Sequence, residues 1–153
     1  MGWLTQLEII GEVALAMLLG GIIGMERERA NKPAGFRTHM LVAGASALLV
    51  GLADALLHRY GGGGADGPVR SDPIRVVEAI ITGISFLGAG TIFRRGEDRA
   101  VEGLTTAASL LLSGAIGISV ALRQFILAGG ITALALLVLW GLKSLEKKDE
   151  DKS

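Results

Sequence analysis

The sequence contains no cysteine and few aromatic residues, which make up 5% of its 153 residues. Without cysteine the chain can form neither a disulfide nor a thiolate metal site. It also lacks the motifs of soluble enzymes, since no phosphate-binding loop, GxSxG or HExxH occurs. The two histidines, His39 and His58, fall at opposite ends of one apolar segment and cannot share a metal ion. These absences predict a protein that is not an enzyme.

An excess of charge of one sign is also lacking, because 15 basic residues balance 15 acidic ones. No basic patch interleaved with aromatic residues occurs, so nothing indicates nucleic-acid binding. Apolar residues, by contrast, make up half of the chain, and the mean hydropathy is +0.52. Residues 103–122 and 124–142 carry no charge, and each run is long enough to cross a bilayer as a helix. The composition predicts an integral membrane protein.

Five apolar segments predict an all-α integral membrane protein, a compact bundle of five transmembrane helices. The first segment follows no basic region and no convincing cleavage site, so we expect a retained helix rather than a signal peptide. Residues 1–145 form the expected transmembrane domain and residues 146–153 a charged cytoplasmic tail. A glycine-rich external linker is expected at residues 61–68. The predicted helices are approximately Leu4–Met25, Thr38–Leu57, Val76–Phe93, Gly103–Leu122 and Phe125–Leu142.

The basic residues are unevenly distributed between the two sides of this bundle. The larger group lies in the loops after the first and third segments and in the C-terminal tail. By the positive-inside rule this side is cytoplasmic, which places the N-terminus outside and the C-terminus inside. The larger group comprises Arg27, Arg29, Lys32, Arg37, Arg94, Arg95, Arg99, Lys143, Lys147, Lys148 and Lys152, and the smaller one Arg59, Arg70, Arg75 and Arg123.

Three carboxylates, Glu12, Asp54 and Glu78, fall in the outer halves of three different predicted helices. A carboxylate facing lipid is costly, so such groups normally turn inward and find partners. Two interpretations stay open. The carboxylates could line a water-filled site for Mg²⁺ or a proton, since hard oxygen ligands suit both. They could instead lie near the headgroups and pair with arginines of the same side, namely Arg59, Arg70 and Arg75.

A second polar group lies on the predicted cytoplasmic side. Its members follow the first and third segments or begin the second. They could form a plain interfacial collar, or a polar cytoplasmic cluster that serves as a docking surface. Pro33 and Gly35 fix the connecting turn, and Thr38 is expected to cap the second helix. The group comprises Glu26, Arg27, Glu28, Arg37, Thr38, His39, Arg94 and Arg95.

Small residues at helical spacing indicate close helix packing. Gly20 and Gly24 form a GxxxG motif in the first segment. We expect packing within one chain, with dimerisation as the alternative. The remaining candidates for close packing are Gly83, Gly88 and Gly90 in the third segment, and Thr105 and Thr106 in the fourth.

Four motifs together resemble the MgtC/SapB family. They are GMERE at residues 24–28, KPAGFRTHMLV at 32–42, FLGAGTI at 86–92 and GLTTAA at 103–108. The resemblance covers about residues 4–142 and implies the transmembrane domain of a multi-pass protein of the bacterial inner membrane. Family members are linked to growth at low Mg²⁺ and to survival inside macrophages. They have been considered Mg²⁺ transporters and, later, regulators of the membrane ATP synthase.

The sequence departs from the family pattern at several positions. Glu78 lies one residue before the position where the family more often has glutamine, here Ala79. One residue corresponds to a rotation of about 100° on a helix, so Glu78 does not inherit the role of that glutamine. Glu102 replaces a basic residue that usually precedes GLTTAA, and Leu111 replaces a frequent tryptophan. Many members carry a soluble C-terminal domain, which we expect to be absent here.

These observations lead to two functional hypotheses. The first is a regulator in adaptation to low magnesium or acid stress that acts on another membrane complex, such as the ATP synthase. It is favoured because the chain is short and has no repeat of the kind many transporters contain. The second is a carrier of Mg²⁺, another cation or protons that uses Glu12, Asp54 and Glu78. The lipid bilayer and a second copy of the chain are further expected partners, and no cofactor other than Mg²⁺ is expected.

Overall fold

The computed structural model describes residues 2–60, 72–95 and 100–150, except the side chains of residues 60, 94, 95, 100 and 142–150. The expected glycine-rich linker at 61–68 lies outside the described residues. Five helices and one two-stranded antiparallel hairpin make up this part of the chain. In chain order they are α1 (Trp3–Arg29), α2 (Phe36–Tyr60), α3 (Pro73–Ala89), β1 (Phe93–Arg95), β2 (Ala100–Glu102), α4 (Leu104–Ala121) and α5 (Phe125–Glu150).

The structure confirms the coarser part of the predicted fold class, an all-helical protein with five helices, with differences at helix ends. The first helix continues four residues past Met25 to Arg29, and the second starts at Phe36 rather than Thr38. Thr38 is therefore not its cap. The Glu28 carboxylate instead accepts a hydrogen bond of 2.8 Å from the Phe36 backbone N–H. The boundary predicted at residue 146 stays a prediction, although α5 continues to Glu150.

The third helix ends earlier than predicted, at Ala89 instead of Phe93. The Thr91 hydroxyl donates a 2.7 Å hydrogen bond to the Gly88 carbonyl, and the Thr91 backbone N–H donates to the same oxygen. These bonds close the last turn. The chain then forms the β hairpin, in which Phe93 pairs with Glu102. Gly103 follows in the left-handed region at φ +93°, where its backbone packs directly on Thr91.

Three helices are long and apolar enough to cross a membrane: Trp3–Arg29, Phe36–Arg59 and Leu104–Ala121. The first 17 residues of α5, Phe125–Gly141, are also apolar. The helix α3 also has 17 residues. At about 1.5 Å per residue, 17 residues extend about 25 Å, slightly less than the hydrocarbon thickness of a typical bilayer.

The core lies where α1, α2 and α4 pack together, with α3 against α4 and α2, and α5 against α1 and α4. Its buried side chains are mostly small, which allows the helix backbones to approach closely. A Cβ atom at Gly20 would lie 2.6 Å from the His39 carbonyl oxygen. The backbone of α4 touches α2 in the same way at Gly117, opposite Ala43. The main apolar cluster comprises Ala16, Ile23, Ala43, Ala47, Ile116, Val120, Ala128 and Ala135.

We expect Gly24→Ala to destabilise the fold by about 1–3 kcal/mol, as overpacking of a close contact does. The new Cβ would lie 2.8 Å from the Gly35 carbonyl oxygen and 2.8 Å from the Phe36 Cα, both in the backbone. The control is Gly83→Ala, because a Cβ there meets nothing within 4 Å. Thermal unfolding of the purified protein in detergent measures both. An equal loss of stability in the two variants would contradict the packing role of Gly24.

Candidate functional site

Two polar sites lie at opposite ends of the α1–α2–α4 core. The first, here called the His39 cluster, consists of Glu26, Arg27, His39, Thr106 and Ser109. It lies where α1 ends and α2 and α4 begin. The second, here called the Arg123 cleft, lies at the other end.

The His39 cluster contains a buried ion pair. Arg27 is only 4% exposed, and its guanidinium donates to the carboxylate of the adjacent Glu26. A buried charge is tolerated only when it is paired and hydrogen-bonded. Both groups also act electrostatically on the nearby His39 ring. The structure thus places Glu26, Arg27 and His39, three members of the predicted polar group, close together.

His39 is fully buried and links α2 to α4. Its Nδ1 lies 2.9 Å from the Gly35 carbonyl oxygen, and its Nε2 lies 3.0 Å from the Ser109 hydroxyl. Because a carbonyl can only accept, Nδ1 carries a hydrogen. The Ser109 hydroxyl also faces the Thr106 carbonyl oxygen at 2.8 Å. Its single hydrogen can be donated either to the Thr106 carbonyl or to Nε2, so these two contacts compete for the Ser109 hydroxyl.

The cluster continues as a polar line along the buried face of α4. The Thr106 Oγ1 is buried and has no hydrogen-bond partner among the described residues. The Ser113 hydroxyl donates a 3.0 Å hydrogen bond to the Ser109 carbonyl. Ser46 of α2 lies beside this face, and its hydroxyl donates to the Val42 carbonyl. Sequence reasoning missed Ser109 and Ser113, although the i, i+3, i+7 spacing of Thr106, Ser109 and Ser113 in an uncharged helix was a signal.

Other residues predicted for this polar group lie outside the buried cluster. Arg37 and Thr38 are exposed on the first turn of α2. Glu28 contacts the α1–α2 turn, where a Cβ at Gly35 would lie 2.7 Å from its carboxylate. Arg94 and Arg95 belong to β1, and their side chains lie outside the described residues.

The Arg123 cleft is an open depression of about 830 Å³ between the start of α1, the end of α2 and the α4–α5 turn. The Arg123 guanidinium bridges two carboxylates of α1, with Nε 3.1 Å from Glu12 and Nη2 3.0 Å from Glu8. The hydrogen bond with Glu8 and the charges of both carboxylates raise the pKa of Arg123. The lining residues that carry charge or titrate are Glu8, Glu12, Asp54, His58, Arg59 and Arg123.

The backbone of Arg123 closes the end of α4 in a conformation that glycine usually adopts. Its φ is +58°, in the left-handed region. The Arg123 N–H donates to the Val120 carbonyl and the Gln124 N–H to the Ser119 carbonyl, which is the Schellman pattern. An arginine here carries a conformational cost that glycine would avoid. Its guanidinium contacts with α1 offset that cost.

The three carboxylates predicted to share a cation site are not brought together. Glu12 and Asp54 line the Arg123 cleft, where Asp54 lies 3.5 Å from the ring of His58. Glu78 is exposed on α3, which packs on α2 and α4. Within residues 2–60, 72–95 and 100–150, no group of three His, Cys, Asp or Glu side chains could hold a metal ion. The reason is that Glu78 lies on the face of α3 that points away from the core.

Some of the predicted packing residues contact neighbouring helices, and others do not. Gly20, Gly24 and Gly88 contact neighbouring helices, and Gly88 faces Ala107 of α4. A Cβ at Gly90 would meet only backbone of its own chain segment, at Leu87 and Phe86. Thr106 is buried, whereas Thr105 is exposed.

The apolar helices, their glycine-mediated packing and the buried His39 cluster define an α-helical membrane protein. A model of the MgtC family matches residues 13–148. The chain therefore belongs to the MgtC family.

Three relatives illustrate the range of similarity. "Putative magnesium transporter YhiD" of Escherichia coli K12 is 36% identical over 86% of this chain and 59% of its own length. SrpB of Synechococcus elongatus is 39% identical over 87% of this chain and 74% of its own length. MgtC of Brucella abortus is 42% identical over 69% of this chain and 39% of its own length. The chain thus spans under two thirds of YhiD and of MgtC. No solved structure matches it.

We expect His39→Ala to lower the free energy of unfolding by about 2–4 kcal/mol, because it leaves a cavity and breaks two buried hydrogen bonds. The matched control is His58→Ala, since the side chain of His58 is 79% exposed. Thermal unfolding in detergent compares the two variants. If they unfold at the same temperature, the His39 cluster does not hold α2 against α4.

We expect the Arg123–Glu12 pair to contribute more stability than the Arg123–Glu8 pair. The Glu12 side chain is 14% exposed and that of Glu8 is 59%, so solvent screens the second pair more strongly. Two double-mutant cycles, built on Arg123→Gln with Glu12→Gln or Glu8→Gln, measure the coupling energies by thermal unfolding. A larger coupling for Glu8 would contradict the assignment of Glu12 as the main partner.

Proposed function

We propose that the chain is a five-span protein of the bacterial inner membrane that regulates another membrane complex during adaptation to low magnesium or acid stress. In this proposal the N-terminus is outside, the C-terminus is cytoplasmic and the membrane ATP synthase is the target. Membership of the MgtC family supports the link to magnesium. The uneven distribution of basic residues supports the orientation.

The regulatory proposal rests on the contacts and positions of the predicted cation ligands. Glu12 is held by the guanidinium of Arg123, Asp54 lies beside His58, and Glu78 is exposed on α3. A carrier needs ligands that converge on the ion, and these carboxylates do not converge. A regulator needs only a stable scaffold and an accessible surface.

The docking surface in this proposal lies beside the His39 cluster. Arg29, Arg37 and Thr38 are exposed there, on the end of α1 and the first turn of α2. The buried cluster holds α2 against α4, because the His39 ring lies within hydrogen-bond distance of Ser109. Gly24 lets the end of α1 lie directly against the start of α2. A rigid surface that exposes arginines is suited to bind an acidic surface of a partner complex.

A carrier of Mg²⁺ or protons is the second candidate, favoured by the Arg123 cleft. The cleft brings Glu8, Glu12 and Asp54 to one open depression. The printed name of the Escherichia coli relative, "Putative magnesium transporter YhiD", agrees with this candidate. If the chain is a carrier, a cation or proton has to displace Arg123 before it reaches Glu12.

Affinity purification from native membranes tests the regulatory proposal. We expect ATP synthase to co-purify with the wild-type protein, and ATP hydrolysis in membrane vesicles to change when the protein is present. Arg37→Glu should weaken both effects, because it reverses a charge on the docking surface. His58→Glu at the opposite end is the control and should leave both unchanged. Absence of any association with ATP synthase would refute this target.

Reconstitution into liposomes separates the two candidates. With a Mg²⁺-sensitive or pH-sensitive dye inside, the regulator should give no more flux than empty vesicles. The carrier should give flux that is lost in Glu12→Gln and in Asp54→Asn, because both carboxylates line the cleft. Flux above empty vesicles that depends on these carboxylates would overturn the regulatory proposal in favour of the carrier.

A further inference from the structure

In a bilayer the Arg123 cleft lies at the level of the lipid headgroups. It opens between the start of α1, the end of α2 and the residues that follow α4, and these are the three helices long enough to cross a membrane. The 27 residues of α1 extend about 40 Å, which exceeds the hydrocarbon thickness of about 30 Å. The first turns of α1 therefore reach the headgroup region, and the cleft is accessible to lipid from the side.

The walls of the cleft combine apolar and polar side chains. Leu52 and Leu56 lie one helical turn apart on α2, Leu122 lies at the end of α4, and all three are exposed. The volume of about 830 Å³ falls within the range of about 300–1,000 Å³ that is usual for small-molecule sites. The cleft thus has the size and the mixed lining of a site for an amphiphilic ligand.

The guanidinium of Arg123 keeps free donors in the cleft. A guanidinium has five N–H donors, of which Nε donates to Glu12 and Nη2 to Glu8. Its Nη1 makes no hydrogen bond to any residue that the structure describes. The side chain is 62% exposed, so a ligand in the cleft can reach these donors. Arginine binds phosphate oxygens through such N–H groups.

The α2 wall of the cleft offers a free acceptor. The Asp54 side chain is 71% exposed, and its Oδ1 lies 3.5 Å from Nδ1 of His58. That nitrogen donates to the backbone carbonyl of Asp54 at 2.9 Å, because a carbonyl can only accept. The second carboxylate oxygen, Oδ2, has no partner within the part of the chain that the structure describes. An ionised carboxylate with a free oxygen is a strong acceptor for an ammonium group.

We propose that the Arg123 cleft binds a zwitterionic phospholipid whose headgroup ends in a primary ammonium, such as phosphatidylethanolamine. The phosphate of the lipid accepts hydrogen bonds from Nη1 of Arg123, and its ammonium donates to Asp54. One acyl chain lies along Leu52 and Leu56 on the outside of α2. The proposal requires that α1, α2 and α4 cross the membrane, and it does not depend on a particular target complex.

The charges that line the cleft select this headgroup. Three carboxylates lie with two guanidinium groups, so the cleft is acidic by one charge when His58 is neutral. An anionic headgroup such as phosphatidylglycerol adds a negative charge and has no ammonium to offset it. Phosphatidylcholine is zwitterionic, but its trimethylammonium has no N–H to donate to Asp54. A primary ammonium supplies both the charge and the donors.

Lipid competition tests the proposal on the wild-type protein. The purified, delipidated protein is mixed in detergent with equal amounts of phosphatidylethanolamine, phosphatidylcholine and phosphatidylglycerol that carry the same acyl chains. Native mass spectrometry then identifies the retained lipid. We expect one phosphatidylethanolamine to be retained about tenfold more often than either other lipid, which corresponds to one charge-assisted hydrogen bond. Equal retention of all three, or a preference for either of the other two, would overturn the proposal.

Two matched variants locate the site. Asp54→Asn keeps the shape of the side chain and removes its charge, so the preference for phosphatidylethanolamine over phosphatidylcholine should be lost. Glu78→Gln is the control, because Glu78 is also an exposed carboxylate but does not line the cleft. Thermal unfolding verifies that both variants fold, as the exposure of the two side chains leads us to expect. If Asp54→Asn keeps the preference, or Glu78→Gln loses it, the lipid binds elsewhere and the proposal is wrong.

Two soluble probes distinguish the lipid from other occupants. Glycerophosphoethanolamine has the same headgroup without acyl chains, so it should raise the unfolding temperature less than the lipid, which also buries Leu52 and Leu56. Equal stabilisation by the two would contradict a lipid site. Mg²⁺ at constant ionic strength should leave the lipid bound, and displacement by Mg²⁺ would favour the cation carrier instead. Co-purification with ATP synthase is measured separately, so failure of the lipid site leaves the regulatory proposal standing.

Discussion

The close contact between α1 and α2 is the constraint on which the rest of the molecule depends. Gly20 and Gly24 let the backbone of α1 lie against the first turns of α2, which no larger side chain would allow. This approach buries His39 and Arg27, and their hydrogen-bonding needs then determine what else can lie nearby. Ser109 of α4 is placed by those needs, because it lies 3.0 Å from His39 Nε2 and a buried polar group without a partner costs free energy. The position of α4 in turn supports α3 and α5.

The two ends of the core are stabilised in different ways. At one end the polar groups are buried and make hydrogen bonds within a closely packed junction. At the other end the ion pairs of Arg123 lie in an open cleft, where water competes for the same groups. The first end therefore sets a fixed geometry between helices. The second holds the α4–α5 turn against α1 by contacts that can exchange with solvent.

Much of the helical fold could be predicted from the sequence, because uncharged runs of helical length leave few alternatives in a bilayer. The GxxxG motif likewise indicated a contact that the structure contains. The β hairpin could not be predicted, since its strands have three residues each and show no alternation of apolar and polar residues. Its presence shortens α3 and ends the helix at Ala89.

The polar sites were predicted only in part, because their partners are distant in sequence. Glu12 and Arg123 are 111 residues apart, and His39 and Ser109 are 70 apart. The identity of such pairs depends on the rotation and axial position of each helix, which the pattern of one chain does not determine. The grouping of Glu26, Arg27 and His39 was accessible because all three flank one short turn. The grouping of Glu12, Asp54 and Glu78 used depth alone and ignored the direction in which each helix faces.

Because of the left-handed turn at Arg123, the two ends of the bundle respond differently to the ionic strength of the solution. The charges that it brings together are solvent-accessible, and dissolved ions screen such charges over about 8 Å at physiological ionic strength. Dilute medium therefore strengthens the attachment of the α4–α5 turn to α1, and concentrated electrolyte weakens it. The junction around His39 excludes those ions. The geometry at one end of the bundle is thus insensitive to salt, while the attachment at the other end weakens as the salt concentration rises.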